Sequence, residues 1–263
     1  PGISDLMNNR FSYLNNYPGY NHNLTIDSVR ESSISLTIGD DLWITAKVED
    51  ANDVILFFRS SNYGVFQEIT MLDDGNNNDG LSGDSIYGAK ISNIGNQTQY
   101  YVYAENDSSG QFSPKRAAYE FYQYVLPINS GEIAINELLA INDNVVQSEY
   151  GEFSDWIELH NNTNATIATN DLFITDNSNN LQKWRLPNYS LPPNGYLILW
   201  ADERSNQGGL HTNFRLSNNG EQIVLSNSLG QIIDSISFPN QSTNVSYARI
   251  PNGTGPFVYN TPS

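Results

Sequence analysis

Four aspartates gathered in one short stretch are the first sign of chemistry in this sequence. Asp73, Asp74, Asp79 and Asp84 stand among three Asn and three Gly, from Asp73-Asp74-Gly75-Asn76-Asn77-Asn78 to Asp79-Gly80-Leu81-Ser82-Gly83-Asp84. Hard oxygen donors on a backbone that glycine lets turn tightly are what Ca²⁺ takes, usually six to eight of them. The spacing is not that of an EF-hand. Counting Asp74 as the first position puts Asp79 where that loop has Gly, and no Glu closes it at the twelfth. A plain hairpin turn has the same composition. The expectation is a Ca²⁺ site with Asp74, Asp79 and Asp84 as ligands and Asp73 as a fourth or supporting acid.

Other residues could act on a substrate. Glu137, Asp155 and Glu158 form a trio that could serve acid–base chemistry on a glycoside. On one strand, Trp156 and Glu158 share a face, and Asp155 goes with Ile157 and Leu159. A turn or capping role for Asp155, and a solvated or Arg-paired Glu158, fit the trio better. The three His are His22 in a polar stretch, His160 at a strand end, and His211 in the turn Gly208-Gly209-Leu210-His211-Thr212-Asn213-Phe214. His211 reads as a turn residue bonded to local backbone. The G-x-S-x-G elbow of serine hydrolases is missing and there is no Cys. Thiol nucleophiles, disulfides and Cys-held zinc are thereby excluded, and the chain reads as a non-enzyme. Outward Tyr rings can stack on sugars, with Tyr63, Tyr87, Tyr101 and Tyr103 as candidates. Ordinary packing with wet hydroxyls is the bland alternative.

The elements that must hold these residues are almost all strands. Residues 3–15 carry one helical pattern, with Ile3, Leu6, Met7, Phe11 and Leu14 on a stripe and Ser4 and Asp5 at its start. It either packs on the next domain or closes an upstream one. From residue 24 the period falls to two: Leu42, Ile44, Ala46 and Val48 alternate with polar neighbours. Runs at 54–58, 65–71, 85–91 and 98–105 complete one β-sandwich. Residues 115–125 read as helix or as a last, edge strand. A linker at 127–131 comes next. Further strands at 133–138, 156–160, 172–175, 184–186, 196–200, 222–226 and 232–238 build a second sandwich. No helical pattern interrupts them, which excludes a parallel βαβ sheet.

Charge narrows the partners. Twelve Lys and Arg face 29 Asp and Glu, for a net charge of −17, so clustered cations for nucleic acid are lacking. The same balance opposes docking on an anionic membrane. No apolar run approaches the ~18 residues of a membrane span. The first residue is Pro1 and no signal segment is visible, so the chain reads as an internal or processed fragment. Asn-x-Ser/Thr sequons are frequent, as chance in an Asn-rich chain would make them.

Two longer stretches carry a family resemblance. "INELLAIN … GEFSDWIELHN … LFITDN … KWRLP … YLILWADE … GGLHTNFRLSNNGEQIVL … IIDSISF … SYARIPNGTG", over residues 131–260, resembles a lamin-tail domain of the bacterial secreted type, an immunoglobulin-like sandwich. "LFFRSSNYGVFQEITMLDDGNNNDGLSGDSIYGAKI … QYYVYAENDSSGQFSP" resembles the immunoglobulin- or fibronectin-like domain that often precedes it. "LMNNRFSYLNNYPGY" is similar to the closing helix of a spore-coat-H-like protein kinase domain, whose catalytic residues are not in this chain.

The expected architecture is all-β: two consecutive immunoglobulin-like β-sandwiches with a short N-terminal helix. Its parts are a terminal helix over 1–21, a first sandwich over 22–127 and a lamin-tail-like sandwich over 128–263. The resemblance implies a non-catalytic accessory, adhesion or protein-interaction region of a larger exported or cell-surface protein, stabilised by Ca²⁺. The alternative is a carbohydrate- or cell-wall-binding module attached to an enzyme. The expected partner is a protein or glycan at the cell surface, with no nucleic acid and no membrane insertion.

Overall fold

In the computed structural model, the described residues are 2–16, 24–32, 35–60 and 64–262. They separate into two compact units. Unit 1 holds residues 1–36, 40–92 and 98–124; unit 2 holds 37–39, 93–97 and 125–263. Among the described residues, no helix is long and apolar enough to cross a membrane.

Helix α1 (Ile3–Asn16) opens unit 1. Its cap differs from the expected Ser4. Gly2 precedes the helix, and its backbone N–H donates to the Asp5 carboxylate at 3.2 Å. That is half of a capping box, with the third helical residue reaching back. The apolar stripe is open to solvent: Ile3, Leu6, Met7 and Phe11 are all exposed.

The rest of unit 1 is a sandwich of two antiparallel sheets. β1 (Thr25–Glu31), β2 (Leu42–Glu49) and β5 (Ile86–Ile91) form one. The other runs β4 (Gln67–Thr70), β3 (Asp53–Arg59), β6 (Gln97–Glu105), β7 (Gly110–Ser113), with β8 (Tyr122–Val125) also paired to β6. Alternation decides what lies between the sheets. Leu42, Ile44, Ala46 and Val48 on β2 are buried, as are Val54 and Leu56 on β3 and Tyr100, Val102 and Ala104 on β6. Each fully buried aliphatic side chain contributes roughly 1.5–3 kcal/mol. Tyr100 keeps its polar tip satisfied by donating to Glu31 at 2.8 Å. Burial and that carboxylate push its pKa up. The segment after β7 is a set of turns ending in β8.

Unit 2 is a second sandwich. One sheet runs β15 (Tyr196–Trp200), β10 (Trp156–Asn161), β9 (Ile133–Leu139), β18 (Ser246–Arg249), β19 (Phe257–Asn260). The facing sheet runs β13 (Trp184–Arg185), β12 (Leu172–Thr175), β16 (Glu221–Asn227), β17 (Ile232–Phe238), and β11 (Ile167–Ala168) pairs with β14 (Ser190–Leu191). Ile133, Ile135, Ile157, Leu159, Ile174 and Leu225 are fully buried members of the core between them. Arg249 ties its rim: its guanidinium bonds both oxygens of Asp234 at 3.0 Å and the Ile135 carbonyl at 2.9 Å. The forked geometry of Arg is what allows one side chain to hold a carboxylate and two strands.

β10 has a consequence for chemistry. Ile157 and Leu159 point into the main core, so Trp156, Glu158 and His160 point the other way. All three are nonetheless buried. Trp156 stands opposite both Trp200 of β15 and Leu139 of β9. These three make a small second core on the sheet's outer face.

Candidate functional site

The acidic loop joins the end of β4 to β5. Asp79 is 1% exposed, and both its oxygens are in use. They accept backbone N–H groups from Asp74 at 2.7 Å, Gly75 at 2.8 Å and Asn77 at 2.8 Å. Burial alone would raise its pKa, but these backbone bonds outweigh burial and hold it below the usual carboxyl value. Asp73 accepts from Gly83, Asp84 and Ser85 at 2.7, 3.3 and 2.9 Å. Asp84 accepts from Leu81 and Ile86, and Asp74 from Asn76 and the Asn77 amide. Gly75, Gly80 and Gly83 supply the positive φ that turns those N–H groups inward. Gly88 on β5 lets the loop lie flat: a Cβ there would stand 1.9 Å from the Asn77 carbonyl oxygen.

The loop geometry does not gather the four acids expected to bind Ca²⁺. Asp73, Asp74, Asp79 and Asp84 are one loop but not one ligand set. Among the described residues, no three acidic or His side chains are gathered so as to hold a metal ion. Each carboxylate caps a different turn, and backbone N–H groups offset part of its charge.

The second candidate lies in unit 2, at the start of β10. A cavity of about 170 Å³ is lined by Ser154, Asp155, Asp202, Arg204 and Arg215 among others. Asp202 organises it. One oxygen, Oδ2, accepts the Ser154 hydroxyl at 3.2 Å and meets His211 Nδ1 at 2.8 Å, and Oδ1 accepts the Arg204 backbone N–H at 3.1 Å. His211 is fully buried; its Nε2 faces Glu149 at 3.3 Å. Its ring stacks over Trp200, with Tyr150 at its edge. The His211 ring is thus held by the Asp202 carboxylate, not by local backbone as the turn sequence implied. A nucleophilic serine must hydrogen-bond the imidazole, whereas Ser154 and His211 converge on the same carboxylate oxygen. Asp155 sits one residue before β10. Burial is the main cause that pushes its pKa up to about 7, with Asp202 and Glu221 adding to this and the Asn142 N–H and Arg215 opposing it.

The structure does bring Glu137 and Glu158 side by side, on β9 and β10, at a register shift. Glu158 is neither solvated nor paired with Arg. It is 8% exposed and accepts the Asn136 amide at 2.8 Å. Burial raises its pKa; Asn136 lowers it and Glu137 raises it further. Glu137 is 1% exposed. Both carboxylates are enclosed between the strands. His160 bonds Asn162 at 2.6 Å, and Asn162 in turn donates to the Gly253 carbonyl. His22 and Tyr63 lie outside the described residues.

The third candidate is the outward face of the larger sheet of unit 1. Tyr101 and Tyr103 of β6 lie on it, opposite Phe57 and Ile55 of β3. Phe57 stacks on Tyr101 with centroids 4.8 Å apart. Phe66 and Phe121 join Tyr101, and Phe112 of β7 joins Tyr103 at 4.8 Å. Arg59 lies over both Phe66 and Phe121, at 4.4 and 5.0 Å. Such contacts stabilise by about 0.5–1 kcal/mol at an exposed site. Phe112 is 45% and Tyr119 80% exposed. Tyr87 is not part of this group; it stands on β5, in the other sheet. Phe57, Phe66, Phe112 and Phe121 carry no mark of their own in the sequence. The period-two pattern of 53–59 against 99–105 is the available signal.

The fold defines an all-β protein of two immunoglobulin-like sandwiches. Within it, residues 127–240 match the family model of the Lamin Tail Domain. The comparison with curated proteins returns no match. Among solved structures, the chain is similar to a GH family 64 laminaripentaose-producing β-1,3-glucanase from Paenibacillus barengoltzii, complexed with laminarihexaose, at 11% identity and a TM-score of 0.25. The similarity covers 85% of this chain and 56% of the glucanase chain. At that score the likeness supports neither a fold nor an activity.

Proposed function

We propose that this chain is a non-catalytic interaction region of a larger exported or cell-surface protein, and that the aromatic face of unit 1 is where its partner binds. The observation that carries the reading is the set of outward rings on β3, β6 and β7. Monomeric proteins seldom leave contiguous apolar faces open without use. The exported setting is supported by the resemblance to domains that adjoin spore-coat-H-like kinases. A non-catalytic role is supported by the two polar clusters of unit 2. One turns its Ser and His to the same carboxylate, and the other closes its carboxylates off. The lamin-tail-like unit then serves as a structural module.

The test is a binding screen of the intact chain on immobilised glycans and on cell-surface protein extract. Saturable binding is expected, and Tyr101→Ala or Phe57→Ala should abolish it. Binding that survives both substitutions would place the interaction elsewhere and remove this reading.

A further inference from the structure

The aromatic face is bordered by a groove whose chemistry is more selective than apolarity alone. Two cavities adjoin along β7 and share Phe112 and Lys115. One, of about 430 Å³, is lined by Tyr101, Phe112, Lys115, Arg116 and Tyr119 among others; the second, of about 330 Å³, adds Gly110 and Gln111. Sites for small ligands run from roughly 300 to 1,000 Å³, so each cavity has room for a ring-sized group.

Resting on the interaction reading above, we propose that this groove takes up a glycan bearing carboxylates, a polymer of uronic acids. Three observations converge. First, no carboxylate lines either cavity, although Asp and Glu outnumber Lys and Arg by 29 to 12 in the chain. A polyanion is repelled by most of this surface and is admitted where cations line the opening. Second, Lys115 and Arg116 stand there together. Lys115 makes no ion pair among the described residues, and Arg116 holds Glu120 at 3.0 Å in an exposed pair that a second carboxylate can compete for. Third, the groove is poor in the planar amides and carboxylates that fix neutral sugar hydroxyls. Its one amide, Gln111, already donates to the Leu24 carbonyl at 2.6 Å.

A uronate supplies both halves of the match in one residue. Its pyranose C–H face lies on Phe112, Tyr101 or Tyr119, and its carboxylate meets Lys115 and Arg116. In an acidic peptide the apolar and charged groups come from different residues, so their spacing would have to be matched separately. The rings fix position, and the cations discriminate against neutral polymers.

The experiment is affinity electrophoresis and calorimetry of the intact chain with polygalacturonate, a neutral β-glucan and poly-glutamate. Polygalacturonate is expected to bind. Phe112→Ala should weaken it about tenfold, and Lys115→Ala about two- to fivefold. The Lys115 effect should fade as salt is raised from about 0.05 to 0.5 M, because screening removes an exposed pair first. An unchanged melting temperature controls for folding in both variants. Equal binding of the neutral glucan, or no response to Lys115→Ala, would overturn the uronate assignment while leaving the aromatic face in use. Preference for poly-glutamate would give the groove to acidic peptides. If none of the three binds but other material is retained through Tyr101, only this inference falls. If nothing is retained through Tyr101, the interaction reading falls with it.

Discussion

Both sandwiches carry aromatic rings on the outer face of one sheet, and the two faces have opposite fates. In unit 1, Phe57, Tyr101, Tyr103 and Phe112 pack ring against ring and remain partly or largely open. In unit 2, Trp156 and Trp200 are 1% and 6% exposed. The difference lies in the loops. The segment bearing His211 runs beside Trp200, whose backbone N–H donates to the Leu210 carbonyl and whose own carbonyl accepts from Thr212. Asp202 then fixes that segment through His211. Strand alternation presents rings outward in both units; only a covering loop with a buried polar anchor turns such a face into core.

The largest expected effect tests that contrast directly. Trp156→Ala should lower the unfolding free energy of unit 2 by about 3–5 kcal/mol. Phe112→Ala should cost unit 1 under about 1 kcal/mol, since a large part of that ring already meets water. Hydrogen exchange of the intact chain, read segment by segment, separates the two. Equal losses would show that the unit 1 face is core as well.

His211→Ala comes next. It removes the Asp202 anchor and leaves a buried carboxylate short of a partner, at a cost of about 2–3 kcal/mol. Tyr103→Phe removes a bond to Glu105 at 2.6 Å on the open face and should cost about 1 kcal/mol or less. A larger effect from Tyr103 would reverse the ranking of the two faces.

The acidic loop gives a third comparison. Asp79→Ala strands three N–H groups and should destabilise unit 1 by about 2 kcal/mol, equally with and without a chelator. Were Ca²⁺ a ligand at 100 times its dissociation constant, linkage would add about 2.7 kcal/mol. The intact loop would then lose on the order of 10 °C in chelator. A loss of that size would place a cation in the loop.

The last comparison is a divergence with pH. Asp155, raised to about 7, holds a proton that the unfolded chain has released. Its contribution to unit 2 is fully present below the ordinary carboxyl range and is lost as pH rises through about 7. Asp79, held low, contributes to unit 1 above the ordinary range and loses that as pH falls through its lowered value. Going from pH 7.5 to 5 should therefore protect unit 2, and going from pH 4 to 2 should expose unit 1. Asp155→Asn should flatten the first change. A rise that persists in Asp155→Asn would assign it to Glu158 or Glu221, which burial also raises.

The features readable in the sequence obey local rules. Leu42, Ile44, Ala46 and Val48 alternate because a strand's side chains must, and the facing of β2 needs no other information. The strands over 156–161 and 196–200 are legible for the same reason, as is helix α1, whose stripe repeats at helical spacing. β7, β11, β14, β18 and β19 are not legible as strands: at two to four residues each, they hold too little pattern to outweigh the turns around them. The acidic loop is visible as composition, yet composition does not say whether a carboxylate meets a cation or an N–H group. That depends on which way the peptide planes face after Gly75, Gly80 and Gly83, and on the space that Gly88 leaves beneath them. Nor can strand periodicity tell a buried outward face from an open one. Trp156 and Tyr101 obey the same alternation, and only the tertiary course of the 202–212 segment, anchored where Asp202 meets His211, gives one of them a cover and leaves the other its surface.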